Sequence, residues 1–113
     1  MLEEDIIAAI GSLVGGRIFM LVAPQRISTP FITFQQVGGV PTYTFCGNTD
    51  RLNARIQFNV WSKDSVEVAT IMLAAETILT EPPLRGVSQG AFVAEYSEPT
   101  SLYGARQDFS FWR

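Results

Sequence analysis

Hydrophobic and polar positions along this chain follow two different periods, and the changes of period divide it into elements. In residues 2–14, Leu2, Ile6, Ala9, Ile10 and Leu13 recur at spacings of three and four, which predicts a helix. Glu3, Glu4 and Asp5 fall in its first turn, where acids complement the helix dipole, and Gly15-Gly16 is a stop signal. In residues 17–23, Ile18, Met20 and Val22 alternate against Phe19 and Leu21, as in a short strand or an extended loop, and Pro24 ends the segment. Ser28-Thr29-Pro30 is a second break, because the residue before a proline avoids the helical region. Residues 31–37 are rich in aromatic and β-branched side chains and predict a strand, with Gly38-Gly39 as a turn or bulge after it. Residues 42–46 read as the returning strand of a hairpin, and residues 47–52 as a polar turn.

Residues 53–62 carry the clearest alternation in the chain. Ile56, Phe58 and Val60 point to one face, and Arg55, Gln57, Asn59 and Trp61 to the other. The helical period then returns: Val68, Ile71, Met72, Ala75, Ile78 and Leu79 form a stripe running to about Thr80. Asp64 or Ser65, with Glu67 shortly after, supplies the N-cap signal, and Glu81-Pro82-Pro83 stops the helix. Two strands close the chain, at residues 91–97 and 104–112, joined by a turn at 98–101. In the last strand Ala105, Gln107, Phe109 and Phe111 alternate with Arg106, Asp108, Ser110 and Trp112. The expected fold class is α+β: one domain over residues 1–113, with a mainly antiparallel sheet of four to six strands and two helices packed on one face.

Composition narrows what such a fold does. Of 113 residues, 47% are apolar and 17% charged, which excludes a disordered chain. So few charges also imply that part of the surface is covered by a partner. Eight basic residues against eleven acidic ones give a net charge of −3, the wrong sign for a sequence-independent nucleic-acid binder. The acidic start, Glu3-Glu4-Asp5, is the reverse of a signal peptide's basic region. The apolar stretch at residues 6–16 falls short of the ~20 residues that span a bilayer, so a soluble, intracellular protein is expected.

Candidate chemistry is sparse. Histidine is absent and Cys46 is the one cysteine, so the commonest general base, a Cys/His zinc site and an internal disulfide are all missing. Lys63 is the sole lysine and sits in a helix-cap loop, which leaves Cys46 or a serine without an evident base. Glu3, Glu4 and Asp5 are adjacent and fan around a helix rather than converge; Asp108 and Asn59, on strands that could face each other, are the other polar pair considered. Neither glycine pair forms a GxGxxG or Walker loop. No enzyme activity, cofactor or metal is expected. Arginine outnumbers lysine seven to one, and arginine and tryptophan dominate binding hot spots. Arg17, Arg51, Arg55, Trp61, Arg106 and Trp112 are therefore the candidate subunit or partner interface, weighed against ordinary surface charge and a tryptophan tucked under a loop.

The order of these signals resembles the phage tail-completion family, small proteins related in fold to the tail terminators of long-tailed phages. The resemblance runs through the acidic first helix, Val14-Gly15-Gly16-Arg17-Ile18-Phe19, Val22-Ala23-Pro24-Gln25 and Pro30-Phe31-Ile32-Thr33-Phe34. It continues in the stretch from Arg55 to Ser62 and in the closing strand from Tyr103 to Trp112. One departure is Asn59, where an aspartate is expected more often; an acid–arginine pair made there by relatives would be weaker here. The resemblance implies a structural protein of a phage or prophage tail, made in the bacterial host cytoplasm and carried in the virion. It implies a homo-oligomeric six-fold ring on the head-proximal end of the tail tube, which stops tube polymerisation and joins the tail to the head. The implied partners are other copies, the tail-tube protein and the head–tail connector protein, with no specific nucleic-acid recognition, no membrane and no cofactor. In that setting residues 38–52 are a candidate loop that orders on docking, and net acidity suits a lining that lets DNA pass. Two other readings compete: a small-ligand-binding module on the same sandwich, which needs a concave pocket with convergent polar groups, and a bacterial dimerisation or toxin-partner domain.

Overall fold

The period changes in the sequence mark real element boundaries in a computed structural model, which describes residues 2–39 and 53–112. Helix α1 covers Leu2–Ile10 and tightens into a 3-10 turn at Gly11–Val14. Strands β1 (Ile18–Met20), β2 (Phe31–Gln36) and β3 (Asn53–Ser62) follow, then helix α2 (Ser65–Thr80), then β4 (Val87–Ser88), β5 (Val93–Ser97) and β6 (Leu102–Trp112). The expected strand at 42–46, with Cys46 and most of the 38–52 loop, lies outside the described residues.

Both helix ends are set by local chemistry. Gly15 takes a left-handed backbone (φ 61°), so the N–H groups of Gly15 and Gly16 turn back onto the carbonyls of Ser12 and Gly11. At the start of α2 the Asp64 carboxylate accepts from the Val66 N–H at 2.9 Å. Glu67 reaches the cap through Ser62: the Asp64 N–H donates to Ser62 Oγ at 3.3 Å, and that hydroxyl donates to Glu67 Oε1. The helix ends at Glu81, whose extended backbone leads into Pro82-Pro83.

The sheet is mixed but mainly antiparallel, as expected. Its order is β1-β2-β3-β6, with β4 and β5 both pairing β6 beyond it. Only β1–β2 is parallel among the described pairs. The last strand is therefore central, held to β3 over ten register pairs from Asn53↔Trp112 to Ser62↔Tyr103. Gly38 extends the β2–β3 ladder as a bulge: the Val37 N–H donates to the Arg55 carbonyl and the Arg55 N–H to the Gly38 carbonyl, so two residues oppose one. Several elements differ from expectation, β5 among them, which begins at Val93 and not at residue 91. β1 stops at Met20 because Leu21 turns left-handed (φ 64°). β6 starts at Leu102, directly after a turn that Ser101 closes with φ 56°. The two-residue β4 carries too short a pattern to be read in sequence.

One face of the sheet holds the core. Ile32, Phe34, Ile56, Phe58, Val60, Ala105, Phe109 and Phe111 are buried there against Ile6 and Ile10 of α1 and Met72, Ala75 and Leu79 of α2. Phe58 sits at the centre, 5.8 Å from the Phe34 ring, 5.6 Å from Phe109 and 6.4 Å from Phe111. Ser62 and Gln107 are the buried polar residues of this face, and Gln107 stands within the β6 row. Its Nε2 donates to Ser88 Oγ and the Gly90 carbonyl, each at 2.8 Å, and so fastens the β4–β5 connection to β6. Among the described residues no helix is long and apolar enough to cross a membrane.

Candidate functional site

The alternation that buries Ile56, Phe58 and Val60 turns the intervening residues of β3 and β6 onto the opposite, helix-free face. Register then assembles that face row by row. Trp61 lies beside Gly104 and Glu95, Asn59 beside Arg106 and Val93, Gln57 beside Asp108, and Arg55 beside Ser110 and Val87. Asp108 thus opposes Gln57 and not Asn59. It is taken by Arg55 on the diagonal, whose Nη2 lies 2.8 Å and Nε 2.9 Å from the same oxygen, Oδ2. With the two side chains 48% and 18% exposed, this pair contributes about 0–1 kcal/mol to the fold; it chiefly fixes the arginine's direction. Arg106 is exposed, with no hydrogen-bond or ion-pair partner among the described residues, so its charge faces outward. Arg55, Gln57, Arg106 and Asp108, with Gln89 and Val93, border a shallow depression of about 300 Å³.

The six candidate residues do not form one patch. Arg55, Arg106 and Trp61 share the open face. The Trp61 ring lies flat on Gly104, where an added Cβ would stand 2.6 Å from Cζ3, so this tryptophan packs on backbone rather than under a loop. Trp112 is on the same two strands but opposes Asn53, eight residues along β3 from Trp61, a separation of roughly 26 Å at about 3.3 Å per residue. It borders the turn formed by Pro82, Pro83, Leu84 and Arg85. Arg17 is placed at the other side of the sheet, where its Nε donates to the Pro30 carbonyl at 2.9 Å and ties the start of β1 to the start of β2. Arg51 lies outside the described residues.

The more prominent features are ones that an arginine and tryptophan search passes over. Met20, Leu21 and Val22 are exposed in succession at the β1 edge, Val22 to 78%. On the far edge Val87, Val93 and Tyr96 are exposed, and the Tyr96 ring tilts against that of the neighbouring Tyr103 of β6, with centroids 5.0 Å apart. The sequence signal was present at the first of these. Five apolar residues run unbroken from Ile18 to Val22, and such a run cannot all point into one core. A further hollow, between α1 and the end of α2, is lined mainly by Ala8, Ala9, Ile78 and Leu84, with Asp5 and Glu81 as its acids.

No curated protein matches the chain. The family model described as "Tail completion protein gp17" matches residues 6–113, from within α1 through the closing strand, and so takes in both edges and the open face. The chain therefore belongs to the tail completion protein family, a family of structural proteins of the phage tail.

Proposed function

We propose that this tail-completion protein acts as a closed ring of six copies at the head-proximal end of the tail tube, where it ends tube growth and presents a surface to the head–tail connector. The observation that carries this reading is the pair of unlike apolar edges on opposite sides of one sheet, Met20–Leu21–Val22 on one and Val87, Val93 and Tyr96 on the other. A cyclic ring needs two different patches per subunit that join head to tail and close on rotation, whereas a two-fold dimer needs only one self-complementary patch. The open face between the edges, with its neutralised Arg55–Asp108 pair and outward Arg106, is then left for the tube or the connector. Nothing in this role calls for bond chemistry. The family membership supports placement in the virion tail.

Native mass across a concentration series tests the ring. A closed species near six copies, formed alone or on addition of tail-tube protein, is the expected result. A dimer that does not grow with concentration and is unchanged by tube protein would overturn it in favour of the dimerisation module.

A further inference from the structure

We infer that β1 of one copy adds as a strand to β5 of the next, in the antiparallel sense, so that neighbouring copies share one continuous sheet. This rests on the ring reading above and names the contact that builds it. Both strands are edges: β1 pairs only β2, and β5 pairs only β6, among the described residues. In β1 the residues bonded to β2 are the odd ones, since the Arg17 carbonyl accepts from Ile32 and the Leu21 N–H donates to Phe34. The peptide groups of Ile18 and Met20 point away. Ile18 N–H is taken by Gly16 and the Met20 carbonyl by Val22, which leaves the Ile18 carbonyl and the Met20 N–H facing outward. An exposed edge of this kind is a template for another strand, and monomeric proteins blunt it with charge, proline or a bulge. Ile18–Met20 contains neither charge nor proline, and Val93–Ser97 contains one charge, Glu95.

That charge favours the other edge as occupant. Residues 17–27 carry Arg17 and Arg26 and no acid, whereas residues 93–101 carry Glu95 and Glu98 and no base. Each edge repels its own kind and attracts the other, which selects head-to-tail contact over a two-fold pair. The apolar surfaces match in the same sense. The left-handed turn at Leu21, costly for a residue with a Cβ, holds Leu21 and Val22 outside the chain's own core. Strand direction follows from topology. β1 runs with β2 and β6, and β5 runs with β3 against them. A neighbour related by rotation about an axis along the strands keeps its direction, so its β1 meets β5 antiparallel.

Disulfide trapping tests this in a Cys46→Ser background. Met20 shares the helix-side face with Ala94 and Tyr96, while Glu95 is on the open face. Oxidation of Met20→Cys/Ala94→Cys or Met20→Cys/Tyr96→Cys should give a ladder that closes at the parent's copy number, and Met20→Cys/Glu95→Cys should give none. A parent that assembles while both same-face pairs stay uncrosslinked would overturn the edge pairing and leave the ring standing. Equal ladders from all three pairs would overturn it too, by showing random collision. A parent that stays monomeric at every concentration, with no crosslink, would overturn pairing and self-formed ring together.

Discussion

The contact between Trp61 and Gly104 offers a sharp test of how the open face is built, because the glycine is required there for space and not for backbone conformation. Gly104 is absent from the residues with positive φ, so alanine suits its backbone. An alanine Cβ would nevertheless lie 2.6 Å from Trp61 Cζ3, 2.7 Å from Cε3 and 3.1 Å from Cη2. Carbon atoms settle at about 3.5–4.0 Å, so the indole must lift by roughly 1 Å along its length. Overpacking of this size costs about 1–3 kcal/mol. Against this stands the gain from replacing a strand glycine, about 0.5–1 kcal/mol. Gly104→Ala alone should therefore lower stability by on the order of 1–2 kcal/mol, which moves a urea midpoint by roughly 1 M for a chain of this size. In a Trp61→Ala background the clash is gone, and the same substitution should be neutral or slightly stabilising. The four-variant cycle, followed by circular dichroism in urea, should thus give a coupling on the order of 2 kcal/mol. An equal cost for Gly104→Ala in both backgrounds would refute the reasoning, because the glycine would then be needed for something other than the indole.

Three further outcomes follow from the same geometry. Phe58→Ala removes the ring that touches Phe34, Phe109 and Phe111 and should cost about 3–5 kcal/mol, lowering Tm by roughly 15–30 °C in calorimetry. Asn59→Asp places a carboxylate directly across from Arg106 and should stabilise by about 0.2–1 kcal/mol, a gain that disappears at high salt; urea midpoints at two ionic strengths check it, and a salt-independent result would mean that the two side chains do not meet. Arg106→Ala removes an exposed side chain without a partner among the described residues, so it should leave stability within about 0.5 kcal/mol and the native mass of the assembly unchanged while weakening binding of tail-tube or connector protein; loss of that binding only in step with loss of stability would remove Arg106 from the interface.

Most of the fold was legible because its signals are periodic and local. The β3 and β6 alternation fixed in advance which side chains are buried, down to Gln107 in an otherwise apolar row. The ends of α2 were written in Asp64, Glu67 and Pro82-Pro83. What sequence does not carry is the order of strands in space. Nothing in residues 17–23 says that β1 lies parallel to β2, and nothing in residues 102–112 says that the last strand is central. The candidate interface suffered for the same reason. Trp61 and Trp112 carry the same alternation phase and so looked like neighbours, but the register sets them at opposite ends of the sheet. Arg17 looked like a surface cation, and only the fold brings the Pro30 carbonyl within its reach.

The low charge content of the chain has a specific location. Twelve large apolar side chains are exposed among the described residues, and six of them, Met20, Leu21, Val22, Val87, Val93 and Tyr96, belong to the two sheet edges. The broad open face between the edges carries polar and charged side chains, from Arg55 through Asn59 to Arg106 and Asp108. A chain that only needed solubility would place its charges where backbone hydrogen-bonding groups are unpaired, because bare edges aggregate. This chain does the reverse at β1 and confines like charges to separate edges. Such a distribution suits growth in one direction through the sheet, with closure rather than charge ending it. Assembly strength should then depend on residues at the edges, and attachment to other components on residues of the open face, so that variants at Val22 and at Arg106 separate the two functions.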